Sequence, residues 1–526
     1  MILFALYGAL FITNISRRSE FRDSDTMNFV DIAAHIARGD GITQSTIGFN
    51  EPHLRWDGPT PAPVTAQAPL YPILSAGLIA AGLSPVHAAL AVSALAYATV
   101  LSLAFVMARF LYGHTAGLLA TAFLLLYLPL NDLAKTTYSD VAGLAFCVAC
   151  LALLARTFTT GSRAAWPVAA AGACAGLAFA TRYALLPLAP VGLIYVWQRS
   201  RSVRDAALFL AATSLPIAVL FARNYSLTGA VLPGAPPSTH GFSLNVVHVL
   251  HALSARYLAN RYRGAQALLL VAAVVAVLWL RRHRIGELAR SLFHGRGGAL
   301  VASWAVVYLG FLTVQRSFSH FDTIDRRLVL PASVPLLILV AGALALEAKP
   351  SWTTAWWTMM VLLGVRIAKE VSTAVTVPRF TAQEFVASSE RLQWLQDHTP
   401  RDAIIVGDDV VDVPFYLERA RAFSFSPRPY TDWVGYEDVL ALCGPTQGAP
   451  VYISLSERVR DPLERRDDYG TLDADVDTTA EAFGPFVASL AAQQVDAYPR
   501  IRPAARVRNG DLFTVDCVEP TTAVPQ

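Results

Sequence analysis

Ionisable residues gather at four places in a chain that is otherwise mostly apolar. The stretch FRDSDTMNFVDIAAHIARGDG carries Asp23 and Asp25 ahead of a helical pattern, and NDLAKTTYSDVAGL carries Lys135, Tyr138 and Asp140 ahead of an apolar run. In GLAFATRYALLPLAP, Arg182 stands between two apolar runs, and in HFDTIDRRLVLPASVPLLIL, His320, Asp322, Asp325, Arg326 and Arg327 precede another. Carboxylates beside cations suit transfer chemistry on a phosphorylated substrate. The cations neutralise phosphate, and a carboxylate takes the proton of a nucleophile. Ionisable groups near membrane depth are functional candidates by default.

Each place also has a plainer reading. Asp25 and Asp140 are favoured types for a helix N-cap. Arg182 and Arg326 are types that snorkel to a membrane interface. His320 alone carries little. The joint pattern outweighs its members because the elements between them put all four places on one membrane face.

Those elements are membrane spans. The 526 residues are 54% hydrophobic and 15% charged, where a soluble chain carries roughly 25% charged residues. A span needs about 20 mostly apolar residues. Such runs recur near 1–15, 87–109, 115–130, 141–156, 165–181, 183–197, 206–222, 265–280, 299–314, 328–346 and 352–368. The first, MILFALYGALFITNI, has no basic n-region and no small-residue cleavage site. It reads as a short span whose natural start is expected upstream. Short loops with Arg156 and Arg163, with Arg199, Arg201 and Arg204, and with Arg281, Arg282, Arg284, Arg290 and Arg296 alternate with the spans. By the positive-inside rule they place the N-terminus in the cytoplasm and the C-terminal domain outside. Arg17, Arg18 and Arg22 fall on the other side, at the start of a long loop, where charge counts for less.

Three outer segments are large enough to build a site. In the first, 16–86, Phe29, Ile32, Ala33, Ile36 and Ala37 recur at helical spacing and Gly39 marks a stop. That pattern predicts an amphipathic helix lying on the membrane surface, followed by a Pro-rich irregular loop. The second is 223–264. The third, 378–526, holds 14 Arg, no Lys and 24 Asp plus Glu, a net of −10 in a chain of +3. Its remainder is therefore a basic membrane half suited to anionic lipids. In the tail, Arg391–His398 reads as helix, and Ala403–Val406, Val451–Ser454 and Leu512–Cys517 read as strands. A small α/β domain follows, without a Gly-rich phosphate fingerprint or metal-ligand spacing. Cys147, Cys150 and Cys174 lie in spans, and the CxxC spacing of the first two on a lipid-buried helix argues for packing over redox or zinc. Cys443 and Cys517 are the only pair in the tail, which makes a disulfide there a candidate.

The sequence resembles the C-type glycosyltransferases that use polyprenyl-phosphate sugars, among them dolichyl-phosphate-mannose–protein mannosyltransferases and lipid A aminoarabinose transferases. The family's first outer loop has an Asp, an aromatic, an Ala and a small-residue helix end, matched by Asp25, Phe29, Ala33 and Gly39 with Gly41. QAPLYPIL (67–74) resembles its PPLYxxL segment, TYSDVAGL (137–144) its acidic second outer loop, and GLAFATRYALLPLAP (176–190) its GLAxLTRxxxxxLxP span. ARNYSLTGAVLP (222–233), DRRLVLPASVPLLIL (325–339) and RLQWLQDHTPRDAIIV (391–406) resemble later segments in the same order. Departures are visible: the usual Asp-Glu pair is Asp25-Thr26, the usual Tyr is Phe29, and the usual Arg-Tyr is Arg326-Arg327. A second acid would then come from Asp23 or Asp57.

The reading is a polytopic α-helical membrane protein of about eleven spans, in a bacterial-type inner membrane, with a small extracytoplasmic α/β domain at 378–526 and a membrane module at 1–370. The resemblance implies transfer of a sugar from a polyprenyl phosphate to a hydroxyl on a lipid, glycan or protein. Asp25, with Asp23 beside it, would be the base. Lys135, Tyr138, Asp140, Arg182, His320, Arg326 and Arg327 would line the substrate. No cofactor and no metal is indicated, and nucleic acid is not an expected partner. The rivals are a transporter or flippase and an oligosaccharide ligase. Transporters usually carry repeats and midplane charges on broken helices, and neither is visible here.

Overall fold

A computed structural model of the chain describes residues 2–16, 24–47, 61–159, 165–232, 238, 240–254, 285–293, 297–319, 324–348, 350–376, 382–408, 410, 412–417, 421–425, 435–443, 449–456, 459, 484–508 and 510–517. The chain forms two compact units. One comprises residues 1–17, 67–231 and 238–378; the other comprises 18–66, 232–237 and 379–526.

With numbering along the chain, the first unit holds α1 (Ile2–Ser16), α3 (Leu70–Ala80), α4 (Pro85–Tyr112), α5 (His114–Leu126), α6 (Leu128–Leu133), α7 (Asp140–Thr159), α8 (Trp166–Thr181), α9 (Leu188–Ser200), α10 (Val203–Thr228), α11 (Phe242–Ser254), α12 (Ile285–Phe293), α13 (Gly298–Phe318), α14 (Leu330–Ala348) and α15 (Trp352–Thr376). Among the described residues, α4, α7, α10, α13 and α14 are each long and apolar enough to cross a membrane. A helix satisfies its backbone groups internally, which is what a lipid environment demands. On α10, Leu210, Leu215 and Val219 stand exposed, as a lipid-facing surface requires. The expected span at 265–280 lies outside the described residues.

Small residues let these helices close. A Cβ at Gly172 would run into the carbonyl oxygen of Phe209, and one at Gly176 into that of Thr213. The two glycines lie four apart on α8, the spacing that brings helix backbones together in membranes. Thr213 Oγ1 donates to the freed Gly172 carbonyl at 3.0 Å. Cys147 and Cys150 are fully buried in α7, as packing residues.

Within the expected outer segment 16–86, residues 70–80 form α3 in the helical unit. Pro69 and Pro72 suggest a loop but sit before and within the first turn of a helix, where Pro lacks nothing it would need. Tyr71 then anchors α3 to α4, its hydroxyl donating to the Ala89 carbonyl at 2.8 Å.

The second unit holds α2 (Ser24–Arg38), β1 (Thr43–Gln44), β2 (Thr46–Ile47), β3 (Ala62–Pro63), α16 (Ala382–Ser388), α17 (Glu390–His398), β4 (Ile404–Gly407), α18 (Asp412–Leu417), β5 (Arg421–Ser424), α19 (Tyr436–Ala441), β6 (Val451–Ser456), α20 (Pro485–Ala491), β7 (Ile501–Val507) and β8 (Gly510–Val515). Its sheet runs β2-β5-β4-β6-β8-β7. The first four strands are parallel, β8 runs antiparallel to β6, and β7 runs antiparallel to β8. Along β4, Ile404 and Val406 enter one apolar cluster with Phe423, Ile453 and Phe513, while Ile405 enters another with Ala422, Leu395 and Leu512. Period-two alternation with both faces buried is what a parallel strand in mid-sheet requires. A boundary at 378 misses part of this unit, because the edge strand β2 comes from residues 46–47, far upstream.

Cys443 and Cys517 form a disulfide between the end of α19 and the chain after β8. It closes a loop of 74 residues, and constraining the unfolded chain over such a length is worth about 4 kcal/mol. We expect the paired replacement Cys443→Ser, Cys517→Ser to lower the calorimetric melting temperature of this unit by several degrees. An unchanged transition, with or without reductant, would deny the bond a stabilising role.

Candidate active site

The loop from α5 to α7 carries most of the chemistry, and its shape follows from one asparagine. Helix α5 ends at Leu126, leaving its last carbonyls without partners. Asn131 Nδ2 donates to the carbonyls of Leu124, Leu125 and Tyr127 at 3.2, 3.1 and 2.7 Å. Its Oδ1 accepts from the hydroxyls of Tyr97 at 2.6 Å and Tyr7 at 3.3 Å. A fully buried amide satisfied on both ends fixes a turn firmly. The next residues, Asp132, Lys135, Tyr138 and Asp140, are thereby held at one end of the helices.

Asp140 opens α7, and Arg182 closes α8 beside it. Arg182 leaves helical geometry, with φ −156° and ψ 116°, and its guanidinium pairs directly with the Asp140 carboxylate. Gly143, one turn into α7, lets Leu185 pack close after Arg182: a Cβ there would stand 2.9 Å from Leu185 Cδ1. The N-cap reading of Asp140 is corrected, since neither carboxylate oxygen accepts a backbone hydrogen bond. Its charge serves the arginine.

The turn into α14 brings the third group. Asp325 Oδ1 accepts from the backbone N–H groups of Arg327 at 2.8 Å and Leu328 at 3.1 Å, an Asx turn. Tyr308 donates to the Leu328 carbonyl at 2.9 Å and steadies the same segment. Arg327 then lies over the Tyr138 ring, 4.6 Å from its centroid, with Nε 3.5 Å from Asp325. Arg326 Nη1 is 3.9 Å from Asp132 Oδ2, with both side chains partly exposed. Asp325 and Arg327 also stand near enough to act electrostatically on Arg182. So Tyr138, Asp140, Arg182, Arg326 and Arg327 converge, with three arginines facing three carboxylates.

Lys135 departs from this group. Its ammonium donates to both oxygens of Glu370, each at 2.6 Å, so the structure pairs it with a carboxylate away from these arginines. Glu370 lies inside α15 and gave no sequence signal beyond an Arg366 four residues earlier. His320 and Asp23 lie outside the described residues.

Asp25 belongs to the second unit, in the first turn of α2. The helix begins at Ser24, so Asp25 sits inside it rather than at the flanking cap position. A carboxylate there is favoured by the helix dipole. Of the α2 face expected to lie on lipid, Phe29, Ile32 and Ala33 are buried in protein, while Ile36 is half-buried and Ala37 exposed. Its far end is tied down by a network the sequence did not reveal. His35 Nε2 pairs with Ser45 Oγ at 2.8 Å and His35 Nδ1 with Asp40 Oδ2 at 2.9 Å. Ser45 also donates through N and Oγ to Asp31 at 2.7 and 2.9 Å. The His35 hydrogen bond, then Arg38, holds the Asp40 carboxyl below the usual range, whereas burial pushes that of Asp31 up. Among the described residues, no cluster of His, Cys, Asp and Glu is arranged to hold a metal ion.

Residues 67–223 match the family model of dolichyl-phosphate-mannose-protein mannosyltransferases. No curated protein matches the sequence. Among solved structures, ArnT from Cupriavidus metallidurans bound to undecaprenyl phosphate aligns with a TM-score of 0.57 at 12% identity, over 99% of this chain and 99% of that one. Its apo form aligns with a TM-score of 0.59 at 13% identity, over 99% and 98%. At such identity the likeness is one of fold. The protein is a polytopic helical membrane protein that shares its fold with ArnT.

Proposed function

We propose that the protein moves a sugar from a polyprenyl-phosphate donor to a hydroxyl of a lipid, glycan or protein at the outer face of a bacterial-type inner membrane. The observation that carries this reading is the cluster of Arg182, Arg326 and Arg327 at one end of the helices, interleaved with Asp132, Asp140 and Asp325. Three guanidiniums suit the bidentate binding of a phosphate. ArnT, which shares the fold, was crystallised bound to undecaprenyl phosphate. In this reading about eleven spans carry the chain, and the second unit stands outside.

The acceptor oxygen attacks the anomeric carbon, and the bond from that carbon to the phosphate oxygen breaks. Asp25 takes the acceptor proton, with Asp23 beside it. The polyprenyl phosphate leaves as an anion that the arginines stabilise. Purified protein in detergent should transfer radiolabelled sugar from a polyprenyl phosphate. Transfer from a pyrophosphate-linked donor alone would replace this reading with a ligase, and lipid translocation without transfer would replace it with a flippase.

Arg326 provides a graded test. Partly exposed and loosely paired, it should contribute near the low end of a charged contact, about 1.5 kcal/mol. Arg326→Ala should then raise the apparent donor KM roughly tenfold, with the acceptor KM unchanged. Normal donor dependence would leave Arg326 an interfacial residue.

A further inference from the structure

The ion cluster around Glu370 lies apart from the arginines and has no role in the chemistry above. Glu370 is fully buried, and so, within a few per cent, are Lys135 and Arg366. Arg366 Nη2 is 2.8 Å from Glu370 Oε1, and Asn14 Nδ2 donates to Glu370 Oε2 at 2.6 Å and to its carbonyl at 3.0 Å. Lys135 reaches in from the α6–α7 loop and also covers the Phe11 ring, 5.4 Å from its centroid. Three separate segments, α1, that loop and α15, therefore meet on one carboxylate.

Charge balance does not explain the lysine. Arg366 lies one turn before Glu370 on α15 and already neutralises it. Lys135 makes two buried cations on one anion, and desolvating a charge is expensive. What the lysine adds is connection. It sits between Asp132, which faces Arg326, and Tyr138 and Asp140, which face Arg327 and Arg182. Asn131 ties the loop at its start, and Lys135 is the next tether along it.

We propose that Glu370 is a positioning residue: through Lys135 it holds the 132–140 loop so that Asp132, Tyr138 and Asp140 set the three arginines for the donor phosphate. The inference rests on the donor site proposed above and assigns Lys135 to support rather than to ligand contact.

The test uses full-length protein in detergent, as Lys135→Gln, Glu370→Gln and the double variant. Lys135→Gln leaves the balanced Arg366–Glu370 pair and should fold. Glu370→Gln leaves two buried cations and the double variant one, Arg366, so Lys135→Gln carries the comparison where these do not fold. Binding of undecaprenyl phosphate, read by native mass spectrometry, should weaken at least tenfold in Lys135→Gln, and the double variant should be no worse. Amide exchange across 132–140 should quicken in each, while α4 and α8 keep their protection. Weakened binding with unchanged exchange in Lys135→Gln would make the lysine a phosphate ligand and overturn the proposal. Normal binding in folded variants would reduce the cluster to packing, and would overturn it too. If the wild-type protein bound no undecaprenyl phosphate, the functional reading would fall, and the exchange measurement would still decide whether Glu370 tethers the loop.

Discussion

Asp25→Asn should give a folded protein that binds donor and turns over at least about a hundredfold more slowly. An acceptor hydroxyl is a poor nucleophile until it sheds its proton, and a carboxylate within hydrogen-bond reach takes it as the bond to the sugar forms. Asn keeps the shape of Asp and its capping oxygen but accepts no proton. If Asp25 served only the end of α2, Asn would preserve folding and activity, because Asn caps about as well as Asp. The helix starts at Ser24, one residue before Asp25, so Asp25 lies within its first turn. The companion variant Asp23→Asn should cost at most a modest factor. Circular dichroism and donor binding check the folded state, and single-turnover transfer reads the chemical step. Near-normal turnover by Asp25→Asn would move the base to Asp23 or Asp140.

What the sequence made legible divides by range. Long apolar runs with Arg-marked loops located α4, α7, α10, α13 and α14, because a span is a local property of about 20 residues. The gathering of Tyr138, Asp140, Arg182, Arg326 and Arg327 was also legible, since each follows or precedes a span at the same face. Contacts set by distant partners were not. Glu370 reads as one charge among several at the end of α15, and nothing local announces a lysine 235 residues away. Strand β2 has two residues and exists only because β5 lies beside it. The covering of the α2 apolar face is likewise invisible locally: Phe29, Ile32 and Ala33 would show the same spacing against lipid or against protein. His35 tied to Ser45 and Asp40 follows from a turn at Gly39 and Gly41, whose φ values of 90° and 82° suit glycine. The turn was expected, but its hydrogen bonds were not.

The second large effect concerns the Arg182–Asp140 pair, where stability and binding should separate. The Asp140 side chain is 2% exposed and that of Arg182 17%. Removing one partner of such a pair strands the other charge, at a cost of about 3–5 kcal/mol. Arg182→Met alone should therefore lower the melting temperature as well as donor binding, and its kinetics would not distinguish the two causes. Replacing both partners by neutral groups is often close to neutral for stability. The paired variant Arg182→Met, Asp140→Asn should thus melt near the wild-type temperature. If the guanidinium receives the donor phosphate, this variant still lacks a charged contact worth roughly 1.5–3 kcal/mol. Its affinity for undecaprenyl phosphate should then fall by about tenfold to a hundredfold or more. Asp140→Asn alone keeps the arginine and removes the anion that occupies it. That anion also orients the guanidinium, so donor affinity and stability should both fall. Arg182→Lys should not rescue the paired loss in full, because a point charge cannot reproduce the planar fork. Wild-type affinity in the paired variant would make the Arg182–Asp140 contact a fastener between α7 and α8, and would leave Arg326 and Arg327 as the phosphate cations.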